Sequence, residues 1–79
     1  MTAKAFVLVE TAVGKTKEVT TTLKQLEGIK SVDTVTGPYD VITIIEGKTL
    51  NDIGDLVTGK IHPIAGISRT VTCLAIQAT

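Results

Sequence analysis

The stretch Thr36-Gly37-Pro38-Tyr39-Asp40 gathers side chains suited to holding a small polar molecule. Gly37 leaves neighbouring backbone amides open to a carboxylate, Asp40 can pair with an ammonium, and Tyr39 offers a ring and a hydroxyl. Those are the parts a free amino acid needs. The same residues also make an ordinary strand-to-strand turn, in which Gly37 and Pro38 shape the chain and Asp40 caps backbone amides. Composition alone leaves both readings standing.

Other residues offer less. His62 is the only histidine and precedes Pro63. It is expected to act as a cation at a helix C-terminus rather than as a general base. Cys73 is the only cysteine, so no intrachain disulfide can form, and it is expected as a small buried hydrophobe. Gly14-Lys15-Thr16 is similar to the end of a phosphate-binding loop, but the upstream glycine that such a loop needs is replaced by Val9. No nucleophile–base–acid set and no His/Cys cluster at metal-ligand spacing stands out. The expectation is a binding protein with no catalytic residues, no metal and no cofactor.

Charge narrows the partners. Eight basic and eight acidic residues cancel over 79 positions, so the basic footprint of a nucleic-acid binder is missing. RNA bound on a sheet is stacked on exposed aromatics, and Phe6 and Tyr39 are the only aromatics here. No apolar stretch approaches the ~18 residues of a membrane span. Met1-Thr2-Ala3-Lys4 has no signal-peptide layout and leads straight into a strand pattern, which predicts a cytoplasmic protein.

The elements that must position the turn are legible from periodicity. Ala5 to Val9 is a short, continuous apolar run, hence a strand. Between Lys15 and Glu27, Val19, Leu23 and Leu26 recur at helical spacing, and Gly28 stands where a helix C-terminus favours glycine. Thr20-Thr21-Thr22 weakens that helix without breaking its pattern. Ser31 to Thr36 predicts a strand, Gly37-Pro38 a break, and Val41 to Ile45 a second apolar strand. Thr49 can cap a further helix with Asp52 in its first turn. Leu50, Ile53, Leu56, Val57 and Ile61 supply the apolar face of this helix, Gly54 and Gly59 weaken it, and Pro63 ends it. Ser68 to Ile76 is the last strand. Gly28-Ile29 and Gly66-Ile67 each follow a helix, and Thr-Val-Thr closes both following strands (Thr34–Thr36 and Thr70–Thr72), a weak internal echo.

Strand, helix, strand, strand, helix, strand is the βαββαβ plan of the ferredoxin-like α+β fold. A single domain over residues 1–79 is expected, with a four-stranded antiparallel sheet and both helices on one face. The first and third strands should be central, since they are the most apolar. Their apolar residues point both ways: Phe6 and Leu8 oppose Ala5, Val7 and Val9, while Ile42 and Ile44 oppose Val41, Thr43 and Ile45. Whichever set packs on the helices, the other is uncovered, and an open apolar face of that size marks an interaction surface. The expectation is a homodimer with two sheets face to face, a dimeric α/β barrel, whose interface holds Phe6, Leu8, Ile42, Ile44, Leu74 and Ile76.

Gly37-x-Tyr39-Asp40 opening an apolar strand, with Ile61 and Gly66-Ile67-x-Arg69-Thr70-x-Thr72 after a helix, resembles the ligand-binding (RAM) domain of Lrp/AsnC regulators of amino-acid metabolism. The resemblance runs from Ala5 to Ile76. It implies dimers joined through their sheets, assembly to octamers, and an effector amino acid bound between dimers. By motif position it implies ligand contacts from Gly37, Tyr39, Asp40, Ser68, Thr70 and Thr72. Full-length members carry a DNA-binding helix-turn-helix before this domain. Here the first strand follows Met1 almost at once, so a stand-alone domain is expected, unable to read DNA by itself but able to join a full-length Lrp/AsnC regulator. Three rival readings share parts of the pattern: a purely structural partner of such a regulator, an ACT-like amino-acid-binding domain, and a small dimeric α/β-barrel monooxygenase.

Overall fold

The computed structural model describes residues 2–76. Strand β1 (Ala3–Thr11) leads to helix α1 (Thr16–Lys24), strands β2 (Ile29–Thr34) and β3 (Val41–Gly47), helix α2 (Leu50–Leu56), a π-helical turn (Val57–Ile61) and strand β4 (Ile67–Leu74). The sheet order is β2-β3-β1-β4, antiparallel throughout. This is the ferredoxin-like arrangement, with the two most apolar strands at its centre.

One face of each central strand is sealed. Ala5, Val7, Val9, Val41, Thr43 and Ile45 are fully buried against Val19 and Leu23 of α1 and Ile53, Val57 and Ile61 of the second helical segment. Thr43 survives in that core because its hydroxyl donates to the Ser31 carbonyl at 2.6 Å, which removes the cost of an unpaired buried donor. The three threonines of α1 are accommodated similarly. The Thr20 and Thr21 hydroxyls donate to the Lys17 carbonyl and that of Thr22 to the Glu18 carbonyl, all within 3.0 Å.

The helices differ from their sequence patterns at the ends. Helix α1 stops at Lys24, and Gln25 and Leu26 form tight turns onto Thr22 and Leu23. Leu26 still packs on the core from outside the helix, and Gly28 closes the segment at φ +90°. Helix α2 begins with a reciprocal capping box between Thr49 and Asp52. After Leu56 one residue is inserted into the helical ladder, so the His62 amide bonds the Val57 carbonyl five residues back. Ile53, Val57 and Ile61 all face inward along this segment. Leu50, expected on the apolar face, lies in the first turn and is 61% exposed.

The other face of the sheet is uncovered within one chain. The register aligns Ile44, Phe6 and Cys73 in one row, and Ile42, Leu8 and Val71 in the next. Charged pairs flank the two rows: Lys4 opposite Glu46 at one end, and Glu10 opposite Arg69 at the other. Phe6, Leu8, Ile42 and Ile44 therefore share a face, but Leu74 and Ile76 do not belong with them. Leu74 pairs with Ala5, whose side chain points to the helices, and Ile76 lies beyond the end of β4. The cause is a bulge at Glu10/Thr11 that accommodates Ser68. A one-residue shift swaps every side chain of a strand between faces. Val71 and Cys73 take the places expected of Leu74 and Ile76. For the same reason Cys73 is exposed rather than buried.

Candidate functional site

The turn between β2 and β3 is fastened to the end of β1. The Val35 amide donates to the Asp40 carbonyl and the Asp40 amide to the Val9 carbonyl, each at 2.9 Å. Beyond Val9, the β1 backbone has no further β3 residue to pair with. Asp40 Oδ2 fills that gap by accepting the Thr11 amide at 2.8 Å. The Thr11 hydroxyl in turn meets that of Thr16, at 2.7 Å, in the first turn of α1. Asp40 is thus a latch as well as a candidate ligand, and both readings of this turn hold for the same residue. Gly37 sits at φ +126° with nothing within 4 Å of where a Cβ would stand, so its amide neighbourhood is open.

Two more residues join the turn from β4. Arg69 Nη2 donates to the Tyr39 hydroxyl at 3.2 Å, and the guanidinium lies 5.8 Å from the Tyr39 ring centroid. Ser68, in the bulge, donates its hydroxyl to the Glu10 carbonyl at 3.0 Å. Gly37, Tyr39, Asp40 and Ser68 therefore gather at one end of the sheet, joined by Glu10, Thr11 and Arg69. Those last three were not predicted as site residues. Arg69 stands in the sequence motif, but the strand partner that places it beside Tyr39 is set by the bulge. Thr70 and Thr72 do not join this cluster directly. They pair with Val9 and Val7 and so point to the helix side of the β4 edge. There His62 Nε2 lies 3.0 Å from the Thr70 hydroxyl. His62 thus ends the helical segment, as expected, and also contacts the edge strand.

The cluster is an open surface in a single chain. A cavity of about 400 Å3 lies elsewhere, between the end of α1 and the second helical segment, lined by Gln25, Leu26, Glu27, Asp55, Leu56 and Lys60. None of the predicted ligand residues reaches it. Among the described residues no group of three or more His, Cys, Asp or Glu side chains could hold a metal ion. No described helix is long and apolar enough to cross a membrane.

A ferredoxin-like sheet with one bare apolar face and a polar turn at its end defines a small α+β module with an open interaction surface. The chain belongs to the family of Lrp/AsnC ligand-binding domains, whose model matches residues 4–79. Among solved structures it is similar to TTHA0845 from Thermus thermophilus, with 31% identity and a TM-score of 0.92 over 98% of this chain and 96% of that one. PHS023 from Pyrococcus horikoshii is 37% identical with a TM-score of 0.89, over 99% of this chain and 93% of that one. The fold also matches the transcriptional regulator NMB0573 from Neisseria meningitidis, solved as a complex with L-methionine. That likeness has a TM-score of 0.85 at 14% identity, over 95% of this chain and 50% of the regulator. A curated relative, the homocitrate synthase of Sulfurisphaera tokodaii, is 31% identical over 62 residues. Those residues are 78% of this chain but 13% of that enzyme.

Proposed function

We propose that this chain is a sensor that binds a free amino acid at the turn Gly37–Asp40 and answers by changing its assembly. The observation that carries this is the continuity of two surfaces: the bare apolar rows of the sheet run directly into the polar cluster at Glu10, Tyr39, Asp40 and Arg69. A second copy laid over the sheet would cover Phe6, Leu8, Ile42, Ile44, Val71 and Cys73. At ~25 cal/mol per Å2, even a few hundred Å2 of such cover contributes several kcal/mol, comparable with the whole stability of a small domain. Neighbouring dimers meeting at the sheet end would wall in a cluster that one chain leaves open. In the assembled site Asp40 accepts the α-ammonium and amides near Gly37 receive the carboxylate, while Thr70 and Thr72, on the helix side of β4, stand outside it. Ligand then favours whichever assembly it binds more tightly. A lone cysteine with no intrachain disulfide partner suits a reducing, cytoplasmic setting.

Calorimetry against the twenty amino acids, with light scattering in the presence and absence of each, tests this reading. Saturable heat from at least one of them, accompanied by a change in mass distribution, is expected. Silence from all twenty at millimolar concentration would refute it.

A second reading is favoured by the match to one segment of a homocitrate synthase. The domain would lend ligand response or assembly to another protein that carries the same fold, such as a full-length Lrp/AsnC regulator, through the shared sheet face. Mixing the chain with such a regulator and measuring mixed oligomers separates the two readings.

A further inference from the structure

The cavity between the end of α1 and the second helical segment carries chemistry that the turn at Gly37–Asp40 does not use. Its walls come from two directions: Gln25, Leu26 and Glu27 from the segment that follows α1, and Asp55, Leu56 and Lys60 from the facing helix. Leu26 and Leu56 are half-buried and form an apolar floor, with the four polar residues exposed around it. At about 400 Å3, the space falls within the range of small-molecule sites.

The backbone around this cavity is fastened. The Gln25 and Leu26 amides donate to the Thr22 and Leu23 carbonyls, each at 3.1 Å, and the Gly28 carbonyl accepts the Glu46 amide at 2.9 Å. Gly28 lies so close to Leu56 that a Cβ there would stand 3.0 Å from Leu56 Cδ2. The wall after α1 is thus held against the floor before any ligand arrives, which lowers the ordering cost of binding.

The charges at the rim do not satisfy one another. Glu27 and Asp55 bring two carboxylates, and Lys60 one ammonium. Asp55 and Lys60 are five residues apart, past the i,i+4 spacing at which helical ion pairs form. Among the described residues the one ion pair is Lys15–Glu18, and Gln25, Glu27, Asp55 and Lys60 make no side-chain hydrogen bond. The cavity therefore has excess negative charge above an apolar floor. A cation with an apolar body complements both features. An anion would meet two carboxylates, and a fully polar solute would leave the floor wet.

We propose that this cavity is a second binding site, for a primary amine carried on a short apolar skeleton. The ammonium sits between Glu27 and Asp55, and the skeleton covers Leu26 and Leu56. Gln25 and Lys60 remain as donors for an acceptor on the same ligand. The site lies among the helices, on the face opposite the bare sheet, so it stays open when a second copy covers that sheet. It is also separate from the turn at Gly37–Asp40, and either site can fail without the other.

Amide NMR of the intact chain, titrated in turn with isopentylamine, isopentanol and isovalerate at neutral pH, tests this. The three probes share one skeleton and differ in the head group. Isopentylamine should shift the amides of Gln25–Gly28 and Asp55–Ile61, saturably in the millimolar range. It should bind ~fivefold or more tighter than isopentanol, as two partly exposed ion pairs allow, and isovalerate should bind least. Glu27→Gln and Asp55→Asn should each lower the amine's affinity ~two- to threefold, and the double variant should bind amine and alcohol alike. Asp33→Asn, which removes an exposed carboxylate elsewhere, should change neither. All the substituted side chains are exposed, and circular dichroism should show the fold intact in each variant. The proposal falls if the alcohol or the acid matches the amine, if the double variant keeps the preference, or if the shifts gather at Gly37–Asp40 instead. Absence of any saturable shift with isopentylamine overturns it as well.

Discussion

The carboxylate of Asp40 accepts the Thr11 main-chain amide at 2.8 Å, across 29 residues of sequence. One side chain thereby closes the end of β1 and faces the candidate site. Asp40→Ala leaves the Thr11 amide unpaired and should lower stability by about 1–2 kcal/mol, besides abolishing ligand response. Asp40→Asn retains an acceptor oxygen for Thr11 and should cost less than half as much while still losing the charge that holds an ammonium. Urea denaturation of the two variants, run beside calorimetry, separates latch from ligand. Equal destabilisation by both would mean that the charge, not the hydrogen bond, secures β1.

A second prediction concerns the bare face. Leu8 lies at the centre of the two apolar rows, between Ile42 and Val71. The wild type should show twice the chain mass or more at micromolar concentration. Leu8→Asp should reduce it to a monomer by burying a charge that a facing sheet cannot satisfy. Leu74→Asp, on the helix side of the β4 edge and 42% exposed, should leave the mass unchanged. A light-scattering result with the two variants reversed would mean that the copies meet along the β4 edge, on its helix side, rather than through the bare sheet face.

That pair of residues also marks where sequence reasoning stops. The order of elements, the central strands and the two-sidedness of the sheet follow from composition and period, because β1 and β3 each carry their alternation within seven residues or so. Which face of β4 joins Phe6 does not follow, because one bulged residue, Ser68, sets that strand's parity, and its sequence Ser-Arg-Thr-Val-Thr-Cys-Leu alternates too weakly to reveal it. The turn at Gly37 to Asp40 is legible as chemistry. Its link to Arg69 is not, since a contact over 30 residues depends on the same parity. The π-helical insertion after Leu56 is invisible for a different reason: spacing of four between Ile53, Val57 and Ile61 fits an ordinary helix equally well.

The start of α2 provides a third prediction. Thr49 Oγ1 accepts the Asp52 amide at 3.1 Å, and Asp52 Oδ2 accepts the Thr49 amide at 3.1 Å and the Lys48 amide at 3.0 Å. With two glycines inside the following segment, this helix depends on its cap. Thr49→Ala should cost about 1 kcal/mol, and Thr49→Ser almost nothing, in thermal or urea denaturation. Ligand affinity should be untouched by either, because the cap sits away from the β2–β3 turn. A loss of affinity with Thr49→Ser would connect α2 to the site by a route that the contacts do not contain.

Gly66 and Gly37 offer a sharper comparison, since both hold positive φ, +99° and +126°. A Cβ on Gly66 would stand 2.9 Å from the Lys15 Cβ and 3.1 Å from Val19 Cγ2, where the β4 entry crosses the start of α1. A Cβ on Gly37 would meet nothing within 4 Å. Both alanine variants carry backbone strain of ~1–3 kcal/mol, but Gly66→Ala must also push aside Lys15 and the buried Val19, and overpacking adds a further ~1–3 kcal/mol. Gly66→Ala should therefore be the more destabilising of the two by about 1 kcal/mol or more in urea denaturation. Gly37→Ala should stay folded, so any loss of amino-acid binding in it reads the turn itself: the methyl group would project into the open space where a carboxylate approaches the amides. If Gly37→Ala binds as the wild type does, the ligand does not rest on this turn.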